Sequence, residues 1–191
     1  MKTVITSLRI FLFFTVVTGI AYPLLVTGIA RLLFPFQANG SLIMKDNRPV
    51  GSAMIGQSFD TSQIYFSSRP SAVSYNPLPS GGSNLGWTSR QLKELVERRR
   101  TEFIRRNNLA DSAKVPPEML FASGSGLDPH ISPEAAMLQV DRVCRARRFS
   151  ISQEARLKNI LAGLTDPPQF LCLGQRRINV LLLNLETDKL K

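Results

Sequence analysis

Ser125 and His130, in the stretch Ser123-Gly124-Ser125-Gly126-Leu127-Asp128-Pro129-His130, offer a hydroxyl and an imidazole close together in sequence. A serine nucleophile with a histidine base would be hydrolase chemistry. The spacing argues against it. A GxSxG elbow needs glycine at 123 and 127, where Ser123 and Leu127 stand. His130 also sits at a helix entrance, where a structural contact is the commoner role. The chain carries no carboxylate pair suited to acid–base work and no phosphorylatable aspartate of the DKTG type. Neither GxxxxGK[ST] nor GxGxxG occurs, so no nucleotide fingerprint is present. Cys144 and Cys172 have no CxxC or histidine pair beside them, and His130 is the only histidine. Free thiols are expected, and no catalytic residue and no metal site is assigned.

What the stretch does offer is shape. Alternating serine and glycine suits a tight backbone that approaches another surface closely. A strong helix start follows: Ser132 as N-cap, Pro133 at the first helical position, Glu134 at the positive end of the dipole. Ala136, Val140 and Val143 recur at helical spacing through about Arg148, while Arg142, Arg145, Arg147 and Arg148 crowd the end, where cations are favoured. The spacing predicts one helix over 132–148. The loop before it is expected to face a partner or brace the core, with Gly124 and Gly126 resisting replacement. A second loop, through Tyr75-Asn76-Pro77 and Ser80-Gly81-Gly82-Ser83-Asn84-Leu85-Gly86, is long enough to suggest function. Its glycines could cradle a phosphate, but packing on a partner is the better reading.

These loops need a scaffold. At 191 residues the chain allows one ordinary domain and something more, and 43% hydrophobic residues fit a folded chain. Residues 10–30 carry no charge and are mostly apolar. As a helix they would span about 32 Å, which matches a hydrocarbon core of roughly 30 Å. A cleaved signal peptide ending at Gly19-Ile20-Ala21 is the competing reading; the apolar run continues past it to Leu33, which favours an uncleaved anchor. A basic head before an apolar run acts as a signal-anchor. The expected organisation is therefore a cytoplasmic N-terminus (1–9), a transmembrane helix (10–33), a linker (34–40) and an extracytoplasmic domain (41–191). The fold class is α+β: one N-terminal membrane helix, then one mixed soluble domain.

Within that domain, residues 41–44 and 51–59 are strand candidates with a turn at Asn47-Arg48-Pro49. A helix is expected over 87–107, capped by Thr88 or Ser89, with Leu92, Leu95, Val96, Phe103 and Ile104 as its apolar stripe. Another is expected over 152–164, and the apolar run 178–185 reads as a buried strand. The net charge of +10 points to anionic partners, and the Arg98 to Arg106 face could bind one. A solvated face with internal Glu–Arg pairs is the plainer account.

Taken together these features resemble the KdpC family, a component of the bacterial potassium-transporting Kdp ATPase. The resemblance rests on Gly51-Ser52, Ile55-Gly56-Gln57, Tyr65-Phe66 with Arg69-Pro70-Ser71-Ala72, and Ser80-Gly81-Gly82-Ser83-Asn84-Leu85. It continues through 123–132, Gln139-Val140-Asp141-Arg142-Val143, Asn179-Val180-Leu181 and Leu183-Asn184. The run Arg98-Arg99-Arg100 and Cys144 depart from its pattern. The resemblance implies a non-catalytic accessory subunit of an ATP-driven potassium uptake complex in the bacterial inner membrane. Its partners would be a potassium-binding channel-like subunit, a P-type ATPase subunit and the lipid bilayer, with no nucleic acid. It also implies a catalytic-chaperone role in which ATP binding by the ATPase subunit is raised, so ATP is the one cofactor expected, through the complex. The candidate site residues are Ser123, Gly124, Ser125, Gly126, Leu127, Asp128, Pro129 and His130, with Arg69, Pro70, Ser80, Gly81, Gly82, Ser83 and Asn84 as a second loop.

Overall fold

The uncharged N-terminal run forms a helix from Lys2–Leu33 with mean hydropathy 2.1 over its most apolar window, long and apolar enough to cross a membrane. This computed structural model describes residues 2–59 and 62–190. The helix is α-helical over α1 (Lys2–Val16) and α2 (Tyr22–Leu33), with a π-helical turn at Val17–Ala21 between them. The turn directly precedes Pro23, which has no N–H to give and whose ring crowds the preceding turn, and a widened turn accommodates both defects. Thr6, Thr15 and Thr18 donate their hydroxyls to the carbonyls of Lys2, Phe11 and Phe14 at 3.0, 2.8 and 2.6 Å, so these polar groups are satisfied within the helix. None of its residues is buried by protein.

The segment after it holds a short helix, α3 (Pro35–Ala38), then the antiparallel hairpin β1 (Leu42–Lys45) and β2 (Arg48–Ser52). Asp46 and Asn47 turn the hairpin at φ 51° and 61°, the left-handed pair that suits the strand twist. The second strand therefore lies earlier than the expected 51–59. The chain divides into two compact units, Met1–Ser52 and Ala53–Lys191.

In the second unit, residues 53–89 contain no helix or strand among the described residues. The helix α4 (Arg90–Asn107) follows, capped by Ser89, whose Oγ accepts from Leu92 N, and closed by Asn108 in the left-handed region at φ 54°. Its buried apolar residues are Phe103 and Ile104. Beyond a 3-10 turn at Pro117–Met119 come β3 (His130–Ile131), α5 (Pro133–Met137), α6 (Val140–Arg147), α7 (Ile151–Gly163), β4 (Ile178–Asn179) and α8 (Val180–Asp188). Strands β3 and β4 pair antiparallel, His130 opposite Asn179.

Two further expectations change. The helix predicted over 132–148 is broken at Leu138 and Gln139, where Gln139 N bonds back three residues to Ala136 O and its side chain turns into the interior. The run 178–185, expected as a strand, is strand only at Ile178–Asn179 and helix beyond. Asn179 Oδ1 accepts from Leu182 N and caps a new helix, which hydrophobicity without a clear period could not reveal. The core gathers Phe66, Val140, Val143, Leu157, Ile178, Val180 and Leu183, all buried, between α4, α6, α7 and α8. Cys144 and Cys172 are both free thiols.

Candidate functional site

The loop 123–130 is tied to residues 56–82 at point after point. Ser123 N donates to Pro70 O, Gly81 N to Ser125 O at 2.9 Å, and Gly56 N to Leu127 O at 2.7 Å. Val180 N donates to Pro129 O at 2.9 Å, which fastens α8 to the same loop. Only glycine fits two of these contacts, and a third is tight for any larger residue. Gly126 has φ +70°, and a Cβ there would come within 2.6 Å of Val73 Cγ2 and 2.8 Å of Gly81 O. A Cβ on Gly56 would meet Asp128 O at 2.7 Å, and one on Gly82 would meet Gly124 O at 3.2 Å. Gly124 is different: a Cβ there meets nothing within 4 Å and its φ is ordinary. The expectation that both 124 and 126 resist replacement therefore holds only for Gly126.

Asp128 anchors the base of the loop. Its Oδ2 accepts from Arg69 Nη1 at 2.7 Å, and its Oδ1 accepts from His130 N at 3.0 Å with His130 Nδ1 at 3.2 Å. Burial alone would raise this carboxyl. The His130 side-chain and backbone hydrogen bonds, with the Arg69 guanidinium, outweigh it and hold the group down at about 2. Ser125 Oγ accepts from Leu127 N at 3.1 Å. The serine is thus turned to the backbone of its own loop and His130 to Asp128, which is not the arrangement of a nucleophile and its base. Gly124 and Ser125 are the exposed rim of the loop, beside an open cavity of about 460 Å³ that also touches Met54, Ile55, Leu127 and Pro129.

Of the second loop, Arg69, Pro70, Gly81 and Gly82 join the first directly, whereas Ser80, Ser83 and Asn84 are exposed. Tyr75 OH donates to Arg69 O at 2.5 Å, and Ser71 Oγ accepts from Val73 N and Tyr75 N at 3.2 and 2.9 Å. The two loops form one connected structure.

A second set of polar residues had no assigned role. Residues 63–68 run from the exposed Gln63 and Ile64 into the interior at Phe66, Ser67 and Ser68 without a strand partner, and helix side chains take its place. Gln139 Oε1 accepts from Ser67 N at 2.8 Å; Asn184 Oδ1 accepts from Phe66 N at 2.8 Å while its Nδ2 donates to Phe66 O at 3.0 Å. Arg142 donates to Gln63 O, Tyr65 O, Asn107 Oδ1 and Gln139 Oε1 at 2.6, 3.0, 2.9 and 2.9 Å. Gln139 and Arg142 are 0% and 4% exposed. The signal was present: Gln139 follows Ala136 by three residues and precedes Val143 by four, a polar residue inside an apolar stripe.

The family described as K+-transporting ATPase, c chain (KdpC) matches residues 4–189 of this chain. The potassium-transporting ATPase KdpC subunit of Photorhabdus laumondii is 45% identical over 188 residues, covering 97% of this chain and 95% of that protein. The proteins of the same name from Polaromonas naphthalenivorans and Mycobacterium bovis are 46% and 45% identical, over 97% and 99% of this chain and 93% and 99% of theirs.

Proposed function

The chain belongs to the KdpC family, and on that premise we propose that it is an accessory subunit of a potassium-transporting ATPase complex. The observation that carries this reading is the family match over 4–189 in a chain with a membrane-length N-terminal helix. It performs no chemistry of its own. Its partners are the channel-like subunit that binds potassium and the P-type ATPase subunit, with the bilayer around Lys2–Leu33. The loops 69–84 and 123–130 serve by shape, and the exposed rim at Gly124 and Ser125 with the cavity beside it is the partner-facing part.

With the N-terminus in the cytoplasm, the Ala53–Lys191 unit lies outside the cell membrane and rests on the channel-like subunit. Any effect on ATP binding by the ATPase subunit then travels through the complex, without contact between this chain and ATP. Cys172 is exposed, whereas Cys144 is buried and its thiol is pushed up to about 11 by that burial, followed by the charges of Glu154 and Asp141. The chain therefore carries its own topology reporter. A membrane-impermeant maleimide applied to intact cells should label Cys172, and Cys172→Ser should abolish the label. Labelling only after lysis would reverse the orientation. The complex itself is tested by affinity purification from potassium-limited cells. The channel-like and ATPase subunits should be retained with this chain, and potassium-stimulated ATP hydrolysis should be lost when it is deleted. A chain that purifies alone while transport persists without it would overturn the proposal.

A further inference from the structure

A cavity of about 330 Å³ opens between α4 and residues 67–75, away from the rim of the signature loop. Its lining combines arginines with hydroxyls. Arg98, Arg99 and Arg106 come from α4, and Glu102 is the one carboxylate among the described lining residues. Opposite them stand Ser67, Ser71, Ser74 and Tyr75. Several of these donors are uncommitted. Arg98 has no hydrogen-bond or ion-pair partner among the described residues, and neither do the hydroxyls of Ser67 and Ser74. Ser71 Oγ already accepts two backbone N–H groups, which leaves its own hydrogen to donate into the cavity. Arg99 is held at one end by Leu120 O at 2.8 Å. Burial first, and then the neighbouring Arg98 charge, push its guanidinium down from the ordinary value.

We propose that this cavity is a binding site for a phosphate-bearing anion, with Arg98 and the Ser71 and Ser74 hydroxyls as its principal donors. Forked guanidinium donors and hydroxyls arriving from the opposite wall suit a tetrahedral oxyanion, whose several acceptor oxygens point in different directions. The volume is at the small end of ligand sites and fits a phosphate group with a short substituent. Two sources share that chemistry, free phosphate and the headgroup of an acidic phospholipid. The site uses neither the signature loop nor membership of the transport complex, so it stands or falls separately from the function proposed above.

The test is calorimetric titration of the full chain in nonionic detergent with two probes, inorganic phosphate and a short-chain, water-soluble phosphatidylglycerol. At least one should bind saturably, with an affinity that falls as salt is raised. Arg98→Gln should weaken that binding at least tenfold, and Arg98→Lys should keep part of it, because lysine retains the charge and loses the fork. Binding of phosphate identifies a free anion as the ligand; binding of the lipid alone identifies the headgroup. Arg98 is exposed, so neither variant should change the thermal melt of the chain. If neither probe binds saturably, or if Arg98→Gln binds both as tightly as the unaltered chain, the site does not exist.

Discussion

Residues 65–68 and the loop 123–129, apart from its exposed rim at Gly124 and Ser125, are both irregular backbone packed into one unit, yet they are held by opposite means. The first is held by long polar side chains reaching in from helices: Gln139, Arg142 and Asn184 supply the donors and acceptors that a neighbouring strand would supply. The second is held mainly by backbone against backbone, with Gly56, Gly82 and Gly126 allowing the close approach and Asp128 pinned to Arg69 and His130 at its base. Both solutions answer one requirement, that buried N–H and C=O groups find partners. They differ in how they fail. A side-chain clamp fails by leaving polar groups stranded, whereas a glycine contact fails by collision.

The largest effect should come from the clamp. Arg142→Leu removes four donated bonds and takes the partner from Tyr65 O and Asn107 Oδ1, while Gln139 Oε1 keeps the bond from Ser67 N and Gln63 lies at the exposed end of the segment. The expected loss is about 3–4 kcal/mol, read from thermal melts of the full chain in detergent followed by circular dichroism. Asn184→Leu, which orphans both backbone groups of Phe66, should approach it. A loss below about 1 kcal/mol for Arg142→Leu would mean that the helices do not support residues 63–68.

Gly126→Val should come next, at about 3 kcal/mol, since it combines a strained φ with a collision against Val73 and Gly81. It should also weaken retention of the partner subunits in affinity purification. Gly124→Ala, two residues away, should lie within about 0.5 kcal/mol of the unaltered chain. Equal effects at the two glycines would show that backbone contact does not set them apart.

The third effect is one of pH. Asp128 is held at about 2 in the fold against an ordinary 3.8, so its stabilisation is fully present above about pH 4 and is lost as pH falls through 2. The amount at stake is about 2 kcal/mol. Acid titration of stability should show this slope, and Asp128→Asn should flatten it. An unchanged slope in the variant would mean that another group sets the acid limb.

A small effect belongs to Ser125→Ala, which gives up one bond from Leu127 N and should cost about 1 kcal/mol or less. Potassium-stimulated ATP hydrolysis by the assembled complex should be retained. A variant that assembles normally and loses turnover would restore a chemical role to the serine.

The sequence by itself determined whatever is settled within a few residues. The uncharged run fixes a membrane-length helix because every backbone bond in it is internal. Ser89 and Ser132 cap helices as their local pattern suggests, each accepting from an N–H three residues ahead, whereas the cap at Ser150 lies earlier than the expected start at 152. The KdpC resemblance was legible too, because its motifs are continuous in the chain. Only the tertiary structure decided what depends on distant neighbours. Val180 begins a helix because Asn179 caps it and Pro129 O receives its N–H, facts a run of leucines does not carry. Gly126 is obligatory and Gly124 is not, because Val73 and Gly81 pack on one and nothing packs on the other. Gln139 meets Ser67 across 72 residues, and Arg98 faces Ser71 and Ser74 only once α4 has docked. Local rules fix caps and spans, but which surfaces meet is a property of the folded chain alone.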